Sequence, residues 1–297
     1  MHISHGKLSS FVVSLLSYLI LFSFLEDYVI SAGTVQQNEA PRDDNGRAES
    51  SDGLEIVEPD EKVFNVMQYR DKATSIINDY DSAFSEVTID QKMMWITFDD
   101  ACKHPGKARM VIPKGQYKVN GLTFPGPCRS KRIVIQLFGD LIGPTDSSLL
   151  PNPYWIDFYR LSNVILLGTG GTIDGSLRDD GINCGDDDEC VPSTPCNVLF
   201  EYCSNMIVKG IISIYPRAHH LNMEHCSNMT FENLYLNTLA RSSDTDGISA
   251  RNSSFIKISN SVIATGGDCI SLDDGSTNFD ISNITCGPGR GIRLVLS

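Results

Sequence analysis

The sequence predicts an all-β fold, a right-handed parallel β-helix with a short N-terminal capping helix. Three four-residue segments recur at a constant step of 22 residues, at positions 246–249, 268–271 and 290–293. A constant step that keeps an isoleucine in phase is typical of a chain that forms one coil per repeat. We therefore expect Ile248, Ile270 and Ile292 to stack in one inward-facing ladder.

Strand-like runs extend the repeat toward the N-terminus. They start at Asn163, Asn205, Asn228, Ser254 and Asn278. Each run mixes β-branched and apolar residues between Asn, Ser or Gly, which is typical of short strands joined by tight turns. Residues 105–297 show no convincing helical pattern, and successive strands without helices favour a parallel β-helix. An all-β sandwich is the alternative, but it does not explain the constant step.

The N-terminal sixty residues divide into two predicted segments. An apolar run at 11–25 follows Lys7 and precedes small residues at 31–33. This pattern predicts a signal peptide over residues 1–33, because the run is short for a membrane span. A membrane anchor is the alternative. Residues 34–61 are polar and acid-rich and predict a disordered lead-in, which leaves 62–297 as the folded domain.

Composition narrows the compartment and the partners. The net charge of −13 argues against a nucleic-acid partner, and a polyanionic ligand would need a local basic patch. The 9 cysteines of a secreted chain predict disulfides with one thiol left over. Sequons at Asn228, Asn252 and Asn283 predict glycosylation and fit the same compartment. We expect no membrane partner once the leader is removed.

An acidic cluster at 186–189 lies between Cys184 and Cys190. Its oxygen ligands suit calcium, but the cluster lacks the spaced ligands and the glycine of a calcium-binding loop. A solvated loop held by a disulfide is the favoured interpretation. The sequence predicts neither a metal nor a cofactor.

The 22-residue step also aligns Asp246, Asp268 and Arg290 on successive coils, which lie about 4.8 Å apart in stacked strands. Two neighbouring carboxylates are what glycoside hydrolysis requires. The alternatives are structural: the aspartates can bind turn N–H groups, and Arg290 can be a solvated surface charge.

Residues 62–297 resemble plant polygalacturonases, pectin-cleaving glycoside hydrolases built on a right-handed parallel β-helix. The resemblance rests on the order and spacing of short stretches at 64–67, 111–117, 126–128, 155–158, 171–175, 245–248, 268–270 and 286–289. It implies inverting hydrolysis of α-1,4-galacturonan, with pectin as substrate and the cell wall as location.

The resemblance also implies roles for individual residues. Asp246 and Asp268 fall on the water-activating pair. Asp244, His219 and Arg290 fall on substrate-binding positions, although His219 can equally be a packed or solvent-facing side chain. A disulfide between Cys269 and Cys286 is implied close to this site.

Departures from the family pattern predict low or no activity. Gly267 stands where the family has its general acid, although it can also be an ordinary turn glycine, and Arg290 stands where the family has His. Arginine cannot release its proton and would hold Asp268 ionised. The family's later Arg-Ile-Lys has no counterpart, because the sequence ends at Ser297. Three aspartates could replace the acid, namely Asp244, Asp273 and Asp274.

These departures leave a second class of function open, a non-catalytic β-helix that binds pectin or a partner, or the product of a decayed gene. Residues 86–98 look inserted, and they would split the family's capping helix between 82–84 and 101–102. The final strand-like run at 292–296 would lack a next coil, which predicts edge-to-edge self-association.

Overall fold

The computed structural model describes residues 57–79, 87–146, 149–150, 154–176, 196–216, 218–238 and 245–295. The predicted leader, most of the lead-in, Asp244 and the acidic cluster at 186–189 lie outside these ranges and stay predictions. Within the described ranges, no helix combines the length and the apolar character needed to span a membrane.

A helical cap covers the N-terminal end of the solenoid. Strand β1 (Glu61–Asn65) leads into a 3₁₀ turn (Val66–Tyr69), helix α1 (Arg70–Asp79) and helix α2 (Ile89–Lys103). Thr88 begins α2 by accepting a hydrogen bond from the backbone N–H of Gln91. The apolar face of α2 packs into the core through Met93, Met94, Phe98 and Ala101.

The stretch at 86–98, which looks inserted in the sequence, is mostly helical. From Ile89 onward it belongs to the single 15-residue helix α2, which continues through Ala101 and Cys102. The buried residues of α2 share one helix face, so this part of the stretch packs within the cap. Residues 82–84 lie outside the described ranges, and the predicted split from them stays a prediction.

The solenoid itself is built from short strands, which follow α2 in this order: β2 (Lys107–Ile112), β3 (Gln116–Lys118), β4 (Leu122–Pro125), β5 (Arg132–Leu137), β6 (Asp140–Ile142), β7 (Ile156–Tyr159), β8 (Val164–Gly168), β9 (Thr172–Asp174), β10 (Val198–Glu201), β11 (Ser204–Lys209), β12 (Ile212–Ile214), β13 (His219–Glu224), β14 (Ser227–Glu232), β15 (Tyr235–Asn237), β16 (Asp246–Arg251), β17 (Ser254–Ala264), β18 (Ile270–Leu272), β19 (Thr277–Cys286) and β20 (Ile292–Leu294).

Each coil adds one strand to each face of the solenoid. One sheet of 7 strands runs in the order β4-β7-β10-β13-β16-β18-β20, and we call it the cleft sheet. The long strand β17 pairs with both β14 and β15, and so joins two other faces into one sheet of 13 strands. Successive coils pair in parallel. The parallel β-helix is thus confirmed, and the sandwich is excluded.

Ladders of identical or similar side chains fill the interior. Ile248 lies opposite Ile270, which lies opposite Ile292. The first two are fully buried, whereas Ile292 is 47% exposed. The predicted register is confirmed. The prediction that Ile292 is buried is wrong, because no described coil covers the far side of β20. Nearer the cap, Phe158 stacks between Phe124 and Phe200 in the same way.

The fold begins earlier than the predicted boundary at residue 62. Glu58 binds Lys107 and Arg132, and the buried Glu61 accepts a hydrogen bond from Arg109 Nε at 2.9 Å. Residues 57–61 are thus part of the first coil. The acids that suggest a lead-in are fixed by basic side chains of β2 and β5.

The cysteines also differ from expectation. The structure contains the bridges Cys102–Cys128 and Cys269–Cys286, the second as predicted. Three further cysteines, all buried, are free: Cys196, Cys203 and Cys226. The prediction of a single leftover thiol is therefore wrong. Cys203 and Cys226 behave as small apolar core residues whose thiols donate to the carbonyl oxygens of Phe158 and Phe200.

Candidate active site

Consecutive coils of the cleft sheet bring the predicted column of charged residues together. His219 pairs in register with Asp246 across β13 and β16. Asp268 and Arg290 each lie two residues before an isoleucine of the ladder, so they continue the same column beyond Asp246. His219, Asp246, Asp268 and Arg290 therefore occupy four successive coils.

The two aspartates are held in fixed positions. Asp246 is 7% exposed, and its Oδ1 accepts a hydrogen bond of 2.7 Å from the backbone N–H of Asp268. Asp268 is 4% exposed. Arg290 donates from Nε to Asp268 Oδ1 at 3.0 Å, and its Nη2 lies 3.8 Å from Asp246 Oδ1. The predicted contact between Arg290 and Asp268 is confirmed.

A second arginine at this site is absent from the sequence-based prediction. Arg293 donates from Nε to Asp268 Oδ2 at 2.6 Å and from Nη1 to Asp273 Oδ1 at 3.2 Å. The hydrogen bond to Asp268 raises the pKa of Arg293. Both carboxylate oxygens of Asp268 are therefore bound by guanidinium groups.

Position 267 leaves no room for a side chain in this backbone. The Gly267 N–H donates to the carbonyl oxygen of Thr245 at 2.9 Å, which draws the two coils together. A Cβ atom built on Gly267 would lie 2.4 Å from Asp246 Oδ1 and 2.7 Å from the Thr245 oxygen. The position that the resemblance gives to the general acid is thus filled by Asp246 and by the neighbouring coil.

The adjacent histidines His219 and His220 face opposite sides of the cleft sheet. His219 Nδ1 lies 3.5 Å from Asp246 Oδ2, and its side chain is 33% exposed. His220 is fully buried, which lowers its pKa to about 3, and its Nδ1 lies 2.9 Å from Ser213 Oγ. The structure therefore places His219, and not its neighbour, at the site.

The column borders an open polar cleft of about 190 Å³, lined by His219, Asn222, Glu224, Asp246, Ser249, Arg251, Asp273 and Arg293. Besides Arg293, four of these residues were not predicted from the sequence: Asn222, Glu224, Ser249 and Arg251. Asp273, one candidate for a replacement acid, is in the cleft but binds Arg293. Asp274 is exposed in the turn that follows β18.

The remaining predicted residues lie around this centre. Cys269 follows Asp268 directly, so the bridge to Cys286 anchors the coil that carries the carboxylate. The three sequon asparagines are exposed. The amides of Asn228 and Asn283 donate to side chains one coil earlier, at 2.7 Å in each case. Their glycosylation stays a prediction, as does the role of Asp244.

Sequence comparison identifies plant polygalacturonases as relatives, in agreement with the resemblance. An exopolygalacturonase of Platanus acerifolia is 33% identical over 220 residues, which are 73% of this chain and 57% of that protein. A polygalacturonase of Gossypium barbadense is 36% identical over 197 residues, 66% of this chain and 48% of that protein. The chain spans about half the length of the curated relatives it matches.

Solved structures share the fold at low sequence identity. An endo-xylogalacturonan hydrolase of Aspergillus tubingensis superposes with a TM-score of 0.61 and 19% identity, over 72% of this chain and 58% of that chain. A polygalacturonase of Erwinia carotovora gives a TM-score of 0.56 and 17% identity, over 82% and 70%. The family model described as glycosyl hydrolases family 28 matches residues 102–294. With its parallel coils, its aspartate column and relatives above 30% identity, the chain belongs to glycosyl hydrolases family 28.

Proposed function

We propose that this chain binds the α-1,4-galacturonan of pectin in the cleft beside Asp246 and Asp268, as a polygalacturonase-type hydrolase whose hydrolytic activity is strongly reduced. The family and the names of its relatives support the substrate class. The polar lining of the cleft suits a hydroxyl-rich ligand. The chemistry of the aspartate column supports the reduced activity.

Inverting hydrolysis requires two different carboxyl groups. One protonates the leaving oxygen, and the other activates a water molecule about 6.5–9.5 Å away on the opposite face of the sugar. Asp246 and Asp268 are proposed to orient that water. Gly267 supplies no acid, and the crowded backbone around it leaves no space for a neighbouring side chain to enter that position.

The observation that carries the proposal is the double arginine contact of Asp268. A base must direct a carboxylate lone pair at the water, but both oxygens of Asp268 already accept from Arg290 and Arg293. Charge-assisted hydrogen bonds of this kind are strong, so a water molecule would have to compete with two guanidinium groups for the oxygens of Asp268. Asp268 is thus poorly placed to activate a water, and Gly267 supplies no proton donor beside it.

The cell wall is the proposed location. Residues 1–33 would direct secretion and be removed during it, and the exposed sequons at Asn228, Asn252 and Asn283 would be open to glycosylation. The relatives' polygalacturonase names fit a substrate outside the cell.

The test measures reducing ends released from polygalacturonate between pH 4 and 7, with an active plant polygalacturonase assayed in parallel. We expect turnover to be at least about 10³-fold lower, since one missing general acid alone costs about 10²–10⁴-fold. Asp246→Asn should then change the residual rate little. Near-normal turnover by the unmodified chain would refute the proposal and would show that another residue supplies the acid.

Calorimetry with galacturonan oligomers separates the remaining alternatives. Binding without turnover would support a non-catalytic pectin-binding protein, a function that the exposed guanidinium of Arg251 in the cleft favours. Failure to bind and failure to hydrolyse would together support a decayed gene product.

A further inference from the structure

Charge changes sign along the cleft sheet. Glu201 on β10 pairs with Glu224 on β13, and Glu224 pairs with Arg251 on β16. These three side chains form one column on the solvent side of three successive coils. Asp157 lies on the coil before Glu201, where β7 pairs with β10. The cleft sheet therefore has an acidic half toward the cap and a half with arginines beyond β13.

Arg251 is the available cation of the second half. The guanidinium groups of Arg290 and Arg293 are both engaged with Asp268, and Arg293 also binds Asp273. Arg251 lines the cleft, is exposed, and forms no ion pair within the described residues. A carboxylate from a ligand would therefore find its binding partner at Arg251.

The acidic half has no such compensation among the described residues. Asp157 Oδ1 is buried and has no hydrogen-bond partner there. Burial, and then the charge of Glu201, raise the pKa of Asp157 to about 6. Burial also raises the pKa of Tyr154, with further contributions from Glu224, Cys196, Glu201 and Asp157. The guanidinium of Arg160 lies over the rings of Tyr159 and Tyr202.

We infer that the cleft selects a galacturonan segment with one free carboxylate at Arg251 and an uncharged, methyl-esterified galacturonate beside Glu224 and Glu201. A second free carboxylate on the acidic coils would meet like charges, which is how an interface rejects a ligand. A methyl ester keeps the sugar ring and its hydroxyls but removes the charge. This specificity rests on the proposed function, since it assumes galacturonan as the ligand.

Calorimetry at neutral pH tests the selection with two trigalacturonates, one fully de-esterified and one with a single free carboxylate. We expect the singly charged trimer to bind the unmodified chain about tenfold more tightly. Glu201→Gln and Glu224→Gln should narrow this difference by improving binding of the de-esterified trimer. Arg251→Gln should weaken binding of the singly charged trimer about tenfold or more, as expected for a lost charge-assisted hydrogen bond.

Matched controls lie on the other sheet. Lys257 on β17 and Asp280 on β19 are exposed neighbours in register, away from the cleft sheet. Lys257→Gln and Asp280→Asn make the same changes in net charge as the cleft variants. They should leave the affinities of both trimers unchanged.

The outcomes separate the inference from the function on which it rests. Equal or tighter binding of the fully de-esterified trimer would overturn the selection while leaving galacturonan binding intact. A preference that survives both glutamate variants would overturn the assignment to Glu201 and Glu224. If neither trimer binds, the proposed function fails and the inference fails with it.

Discussion

Restoring an aspartate at position 267 should damage this protein and should not repair it. The resemblance places the family's general acid there, so Gly267→Asp is the obvious attempt to recover hydrolysis. In this backbone, however, the new Cβ would lie 2.4 Å from Asp246 Oδ1 and 2.7 Å from the Thr245 carbonyl oxygen. Both distances are far below van der Waals contact, and neither neighbour can move freely. Asp246 is bonded to the Asp268 N–H, and Thr245 to the Gly267 N–H.

The cost of Gly267→Asp has two parts. Overpacking a tight position costs about 1–3 kcal/mol. Displacing the Asp246 carboxylate from the Asp268 N–H removes a hydrogen bond to a charged group, about 1.5–3 kcal/mol. Because the two effects share one displacement, we expect about 3 kcal/mol in total. For a folded domain of this size, that loss corresponds to a fall in Tm of about 6–12 °C.

The assay combines thermal unfolding with release of reducing ends. Gly267→Ala should destabilise by nearly as much as Gly267→Asp, because the clash arises at Cβ. Gly106→Ala is the matched control, since the nearest atom to its Cβ is Nε2 of the His104 ring, which can rotate away. Recovery of activity should require Gly267→Asp together with Arg290→His and relief of the Arg293 contact. A Gly267→Asp protein with unchanged Tm and strongly increased turnover would refute this reasoning.

Three further predictions concern other parts of the fold. Replacing Cys269 and Cys286 by Ser opens a bridge with a sequence separation of 17 residues, so equilibrium unfolding should show a loss of about 3 kcal/mol; an unchanged midpoint would contradict this. Burial raises the pKa of Asp157 from 3.8 to about 6, so its ionisation costs folding free energy that grows as the pH rises from about 4 to about 6 and is complete above pH 6. Asp157→Asn should therefore raise the unfolding midpoint at pH 7 but not at pH 4, and an equal effect at both would contradict the burial argument. Strand β20 has one described partner, β18, and Leu294 is 60% exposed, so light scattering should detect association that decreases on dilution; a monomer at all concentrations would argue against it.

The fold could be predicted because the repeat length of a solenoid determines which residues lie side by side on successive coils. Residues one repeat apart become neighbours, so the 22-residue step alone places Asp268 beside Arg290. The same 22-residue step, applied to the column three residues later in each coil, would have indicated Arg293. Arg293 continues the column of Ser249 and Ser271. That column gave no signal because its first two members are small and uncharged.

Other features of the protein could not be predicted from the sequence and are visible only in the structure. The resemblance identifies Gly267 as a missing acid, but only the backbone shows that the position has become too narrow for any side chain. The acidic residues Glu58 and Glu61 look like part of a disordered lead-in until β2 brings Lys107 and Arg109 beside them. Pairing between distant segments decided both cases, and local composition does not encode it.

The solenoid explains how a site of this kind can change its functional residues and still fold. Inward side chains such as Ile248 and Ile270 form the core ladder, whereas Asp246 and Asp268 lie two residues before them, in a separate column. A substitution in the aspartate column therefore leaves the ladder intact. The Arg290 and Arg293 contacts go further, because both guanidinium groups bind Asp268, whose charge would otherwise repel that of Asp246 on the preceding coil. Under the proposed function, a column of unpaired carboxylates is a cost that catalysis requires, and the two arginines that offset this cost also occupy both oxygens of Asp268.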